Sequence, residues 1–364
     1  MTIKDITDVI EEIAPLQYAE DFDNVGLLVG NFQTKITGVL VTLDTLEETV
    51  NEAIEKKCNL IVSFHPIIFS GLKKLNGNSY VERVVLKAIQ NNIAIYATHT
   101  ALDNSIHGVS QGICKQLGLE NSSILIPKKN LLRKLTTYVP KAHVDAVRTA
   151  LFKANAGGIG NYDNCSFNIE GIGTFKGNEQ SNPSIGEKGM LQREPEVQVS
   201  VIFESKDEGQ ILKALFEAHP YEEVAYEVIL TENTYQNVGM GKIGELPQEM
   251  SESDFLNYVK MTMNTECIRH SKLLGKPIKK VAVLGGSGSF AISAALQQNA
   301  DAYISADFKY HDFFKAEDKI VLMDIGHYES DQFTKNLICD HLIKKITNFA
   351  VVLSEKSTNP IFYT

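Results

Sequence analysis

Histidine and carboxylate side chains recur directly after the apolar runs of this chain. "NLIVSFHP" delivers His65, and "IAIYATHTALDN" carries His99 and, four residues on, Asp103. "DAYISADFKYH" brings Asp307, Lys309 and His311, and "IVLMDIGHYESD" brings Asp324, His327, Glu329 and Asp331. Imidazole nitrogen combined with carboxylate oxygen, without thiolate, is a donor set for zinc, iron, manganese or nickel. Two such ions bridged by a carboxylate would activate water for hydrolysis by lowering its pKa. The four-residue step from His327 to Asp331 puts both on one helical face if a helix begins there. A lone histidine at a strand end is usually a hydrogen-bonded structural residue. Several of them, with acids, from segments far apart in sequence, make a candidate site.

The elements that would gather these groups are parallel strands joined by helices. A strand "GVLVTLD", a helix "TLEETVNEAIEKKC" and a strand "NLIVSFH" open the chain's first part; "VAVLGGSGS", "FAISAALQQNA" and "DAYISADFKYH" repeat the rhythm near its end. From Val41 to Val62 is 21 residues, as it is from Val283 to Ile304. Each part continues to a third strand, "IAIYATHTALD" or "KIVLMDIGHYE". Such units form parallel sheets flanked by helices, and ligands bind such sheets beyond the strands' carboxyl ends. The sequence predicts an α/β fold with two related halves forming one core, residues 1–128 and 242–364. Residues 129–241 differ in texture. They read strand, helix, strand, strand, helix, strand, the ferredoxin-like α+β plan of an inserted domain. The polar stretch "KGNEQSNPSIGEKG" interrupts it as a long loop.

Composition narrows the function classes. With 364 residues, 43% hydrophobic and 22% charged, the chain is an ordinary globular protein of two or three domains. It has no membrane-spanning run, and "MTIKDITDVIEEIAPL" reads as an amphipathic helix and not a signal peptide, so a cytoplasmic location is expected. A formal net charge of −10 disfavours nucleic acid, and the one basic cluster, "PKKNLLRK", reads as a solvated connector. Five scattered cysteines without a CxxC pair exclude a disulfide scaffold and a cysteine-rich zinc site. "VAVLGGSGSFAIS" mimics a dinucleotide fingerprint, since Gly286, Gly288 and Ala291 satisfy a loose GxGxxA spacing. The acid expected about twenty residues further on falls in "ADFKYH", among the site residues. Close approach of backbone to the pocket is the better use of those glycines.

The ordered segments "EDFDNVGLLVG", "FHPIIFSGLKKL", "HTALDN", "VAVLGGSGS", "DAYISADFKYHD" and "DIGHYESD" resemble the GTP cyclohydrolase I type 2-like proteins, also called NIF-three-like. "IGNYDNCSF", "GIGTFKG" and "AHPYEEVAYEV" resemble the PII/CutA-like domain inserted in the longer bacterial members. The resemblance implies a homohexameric ring with the inserted domains as lids and a dinuclear metal centre inside. It implies His65, Asp103, His327 and Asp331 as metal ligands, His99 close by, and Asp23 and Asn24 in an acidic motif. Divalent ions, zinc foremost, up to two per chain, are the implied cofactor. Two departures matter. The family usually has two adjacent histidines before the proline, where this chain has Phe64 and His65, and phenylalanine cannot ligate. The family's last ligand is usually a glutamate; here that place is Asp331, with Glu329 as a substitute if the turn differs.

A metal-dependent hydrolase acting on a small molecule is the leading expectation, with Lys309 and His311 as candidates for phosphate contact or proton transfer. A metal-handling or sensing ring comes second, favoured by the missing histidine. A scaffold around nucleic acid is third, opposed by the charge. Nothing in the sequence reads a particular substrate.

Overall fold

The computed structural model describes residues 1–347 and 349–364, and the chain divides into two compact units. The first joins Met1–Pro127 to Asn237–Thr364; the second is Lys128–Gln236. No helix among the described residues is long and apolar enough to cross a membrane.

The first unit contains two sheets. One runs in the order Gly26–Val29, Ala94–Ala97, Leu60–Ser63, Val39–Thr42, Val351–Leu353, parallel except for its first strand. The other runs Arg269–His270, Val321–Asp324, Ala302–Ala306, Ile278–Ser287, Gly239–Met250, Glu120–Pro127, with a parallel centre and antiparallel flanks. The 21-residue recurrence in the sequence is a register. Val41 lies opposite Val62 in one sheet and Val283 opposite Ile304 in the other. The two halves nevertheless exchange edges. Glu120–Pro127, from the first part, completes the second sheet, and Val351–Leu353, from the end of the chain, completes the first. Each exchange covers an edge that would otherwise leave backbone groups unpaired.

The central strands are buried on both faces, so their apolar runs are continuous rather than alternating. Alternate residues still serve different cores. Val39, Val41, Leu60 and Val62 share one with Val281, Val283, Ala302 and Ile304 of the other sheet, and with the helices Ile3–Glu11, Val109–Gln116, Glu252–Thr262 and Thr334–Lys345. Leu40, Ile61 and Ile95 point the other way, onto the helices Glu47–Glu55 and Tyr80–Gln90. Ala282, Tyr303 and Leu322 likewise pack with the short helix Ile292–Gln297.

In the second unit, strands Leu132–Pro140, Phe167–Phe175, Gln192–Glu204 and Tyr226–Leu230 form one antiparallel sheet. Their spatial order is second, third, first, fourth. Helices Val144–Lys153 and Glu208–Ala218 supply Val147, Leu151, Ile211 and Leu215 to a core with Leu135, Val139, Val199 and Val201. The basic stretch expected to be a solvated connector is only partly one: Leu131 and Leu132 are buried, and the strand begins at Leu132. Its apolar leucines outweigh the flanking charges.

After its last strand the chain is held by polar contacts. Glu52, buried on the helix Glu47–Glu55, accepts hydrogen bonds from the Ser354 hydroxyl and, at 3.0 Å, from the Glu355 amide. Removing it leaves these donors unmatched in a low-dielectric setting. Glu52→Ala is expected to cost roughly 1–3 kcal/mol, read as a lower denaturation midpoint with faster hydrogen exchange at Val351–Leu353.

Candidate metal centre

His65 follows the strand Leu60–Ser63, and its amide donates to Leu43 O at 3.0 Å, which fixes the exit of the chain. His327 opens the helix His327–Asp331 after Gly326, whose φ of +94° makes the turn from strand to helix. Asp331 closes that short helix and is 1% exposed. These elements bring three donors together: His65 Nε2 and His327 Nε2 are 3.3 Å apart, and Asp331 Oδ2 is 3.3 Å from His327 and 3.7 Å from His65. Among the described residues they form the one group able to share an ion.

Each imidazole is held from behind by a carboxylate. His65 Nδ1 lies 2.8 Å from Asp44 Oδ1, and His327 Nδ1 lies 2.7 Å from Asp307 Oδ2. A carboxylate on Nδ1 fixes the tautomer and directs the Nε2 lone pair to the opposite side, the usual outer arrangement of a histidine-bound metal. Asp44 is steadied in turn by the Thr358 hydroxyl.

The electrostatics call for positive charge at the common point. Burial opposes protonation of His65, yet Asp331 and Asp44 outweigh it and raise its pKa to about 10. The Asp307 contact raises His327, and the same contact holds Asp307 down at about 2. Asp103 lines the same cavity but is not one of the three clustered donors. Burial, then the charge of Asp331, pushes its carboxyl well above the ordinary range.

These residues fit a divalent ion. Donors bound tetrahedrally at zinc distances lie about 3.3 Å from one another, which matches the spacing found. A second ion is less well served. Phe64, 1% exposed, packs its ring 4.7 Å from His65 and 5.6 Å from His99, putting hydrocarbon where the resemblance expects a donor.

Glu329 does not replace Asp331. Its carboxylate accepts from Asn359 Nδ2 at 3.0 Å and packs over Gly326. Lys309 and His311 do not line the cavity; the His311 ring meets Tyr310 edge to face and Phe314 at a tilt instead. Asp324 accepts from Arg269 and from the Phe308 amide, a structural role. His99 does reach the cavity, from a strained backbone at φ +23°. Its Nδ1 is 2.8 Å from Asp23 Oδ1, and the Thr100 amide donates to Asp23 Oδ2 at 3.0 Å. Asn24 ties this loop to Ile68 O.

The glycines of "LGGSGS" serve this centre directly. A Cβ on Gly285 would stand 2.5 Å from Asp331 Oδ1, and one on Gly286, at φ +64°, would stand 3.3 Å from the His327 ring. The sequence reading did not single out Asp44, though it closes "GVLVTLD" and so obeys the same strand-end rule. It also missed the aromatic rim of Phe22, Phe69 and Phe290, exposed rings that border the roughly 360 Å³ cavity.

Fold and site together define an α/β protein whose strand ends gather histidine and carboxylate donors into a candidate metal centre. Residues 1–360 match the sequence model of the Duf34/NIF3 (NGG1p interacting factor 3) family, and the chain belongs to that family. It is 36% identical to a Bacillus subtilis protein named GTP cyclohydrolase 1 type 2 homolog, over 98% of this chain and 97% of the relative. A Staphylococcus epidermidis protein of the same name is 34% identical over the full length of both. The crystal structure of a Bacillus cereus protein related to NIF3 superposes with a TM-score of 0.87 at 34% identity, covering 100% of this chain and 99% of that one.

Two outcomes test this geometry. Gly285→Ala is expected to displace the Asp331 carboxylate and weaken zinc binding at least tenfold by competition titration, with the far-ultraviolet spectrum unchanged. Asp23 lies lower in the fold, at about 2, than its ordinary 3.8; burial works against this, and the His99 and Thr100 contacts exceed it. Its stabilisation is therefore complete above pH 3.8 and lost as pH falls through about 2. Asp23→Asn should cost about 2 kcal/mol near pH 6, and the gap to the native chain should close between pH 4 and pH 2 in urea titrations of metal-free protein.

Proposed function

We propose that this protein holds a divalent metal ion, zinc foremost, through His65, His327 and Asp331, with Asp103 as a further carboxylate in the same cavity, and acts as a hydrolase on a small molecule. The convergence of two Nε2 atoms and one Oδ2 atom, with Asp44 and Asp307 behind the imidazoles, carries this reading. A bound ion supplies Lewis acidity that polarises a substrate oxygen and acidifies water. The chain supplies the rest. Asp23 orients His99 through Nδ1, leaving Nε2 to take or give a proton. Phe22, Phe69 and Phe290 offer apolar faces to the substrate and limit water at the cavity mouth. The relatives' name makes GTP the first substrate to test.

Phe64 favours a second reading, a non-catalytic metal-handling or sensing protein, because it removes a donor that two ions would need. As the resemblance implies, the working assembly is a cytoplasmic homohexameric ring, to be checked as six chains per particle by light scattering. The second unit is a ferredoxin-like, PII/CutA-like domain; its strand and helix order, and the spatial order of its strands, support that assignment.

Metal content decides between one ion and two. Untagged protein purified without chelator should carry one equivalent of transition metal by plasma mass spectrometry, and His327→Ala should carry none. Phe64→His is expected to raise the content towards two. Metal-dependent turnover of GTP or another nucleotide, absent in His327→Ala, would support the hydrolase; tight binding without turnover across a substrate panel would select metal handling.

A further inference from the structure

After Val351–Leu353 the chain forms no further helix or strand. Past Glu355, among the described residues, no backbone group of this tail pairs with the rest of the fold. Its amides bond only within the segment, Lys356 to the Ser354 hydroxyl and Ile361 to Asn359 Oδ1. Apolar burial does not hold it either, since Ile361 is 51% exposed and Phe362 88%. Between Lys356 and Thr364 only Thr358, Asn359 and Tyr363 are turned away from solvent.

Each of these three ends on a group that supports a donor of the metal centre. The Thr358 hydroxyl donates to Asp44 Oδ2, while Asp44 Oδ1 faces His65 Nδ1 at 2.8 Å. With both oxygens engaged the carboxylate cannot turn, and the His65 ring keeps its aim. Asn359 Nδ2 donates to Glu329 Oε1 at 3.0 Å, on the helix His327–Asp331. The Tyr363 hydroxyl lies over Gly326, 2.9 Å from where a Cβ would stand, at the turn that delivers His327. A tail that served to cover apolar surface would bury its isoleucine and phenylalanine. This one exposes them and directs its inward positions to the metal centre.

We propose that Thr358 is a positioning residue for that centre and that Lys356–Tyr363 is a strap whose docking is linked to metal occupancy. The inference rests on the reading that His65, His327 and Asp331 hold an ion. An ion there fixes the His65 ring and the helix His327–Asp331, the two sides that the strap grips. Without it both sides are freer, and the strap has no backbone pairing to keep it down. The linkage is reciprocal: by whatever factor the docked strap tightens the ion, the ion tightens the strap. Upstream, Ser354 and Glu355 are held by Glu52, away from the centre, so the strap hinges just after them.

Lys356 is exposed at that hinge, which makes trypsin a reporter of docking. The full chain, stripped or zinc-loaded, is digested and followed by intact mass. Outer hydrogen-bond partners change metal affinity by about tenfold or more. Where cleavage tracks the undocked population, zinc should therefore slow the cut after Lys356 about tenfold. Cleavage after Lys188, in the second unit, should not respond, and His327→Ala should lose the protection. Thr358→Val, which keeps the shape and drops the hydroxyl, should bind zinc about tenfold more weakly by competition titration and lose most of the protection; Thr358→Ser should restore both. Zinc bound by the native chain, with Lys356 cut equally fast in both forms or in neither, would overturn the strap whether or not any variant folds. So would native zinc affinity in a folded Thr358→Val. A native chain that binds no zinc would instead remove the metal reading, and this inference with it.

Discussion

The centre depends on one electrostatic constraint: two imidazole nitrogens and a carboxylate oxygen must share a space about 3.5 Å across while two more carboxylates press on the imidazoles from outside. That arrangement is unfavourable unless positive charge sits in the middle. The raised pKa of His65, at about 10, expresses this when only protons are available. Folding therefore stores a demand for a cation. The donors come from the ends of two different sheets in the first unit, so the core those sheets share is what holds them at this distance. Valine, isoleucine and leucine packed across that core supply the rigidity; the polar groups alone would drift apart.

A second consequence concerns the end of the chain. The strand Val351–Leu353 joins the first sheet, and the residues after it reach the groups that orient the donors. Thr358 contacts Asp44, behind His65, and Asn359 contacts Glu329, on the same helix as His327 and Asp331. Outer partners of this kind set ligand orientation and metal affinity without touching the ion. The edge exchange between halves thus completes a sheet and also anchors a segment that braces both sides of the centre.

Much of this was legible in the sequence. Parallel strands buried on both faces write themselves as apolar runs, and the 21-residue repeat turned out to be the register itself. The strand-end rule found His65, His99, Asp103, His327 and Asp331, because the topology of an open sheet fixes where side chains can converge. It could not rank them. Nothing in "HTALDN" says that Asp103 stands outside the three-donor cluster while His99 pairs with Asp23, 76 positions earlier. Asp44 was passed over although it sits at a strand end like the others, since a lone aspartate before a helix also reads as a turn residue. The edge exchange was illegible for another reason: which strand covers which edge is a long-range choice that local pattern does not encode.

Phe64 sharpens what kind of centre the fold builds. A histidine there would add a donor facing the cavity, whereas phenylalanine adds a buried ring against His65 and His99. The ring lowers the local dielectric, which strengthens every remaining charge interaction around the three donors. Asp103 lines the same cavity, where burial, then the charge of Asp331, pushes its carboxyl well above the ordinary range. Phenylalanine at this place thus puts a buried ring, and no donor, beside the group of His65, His327 and Asp331, in a cavity that Asp103 and His99 also line.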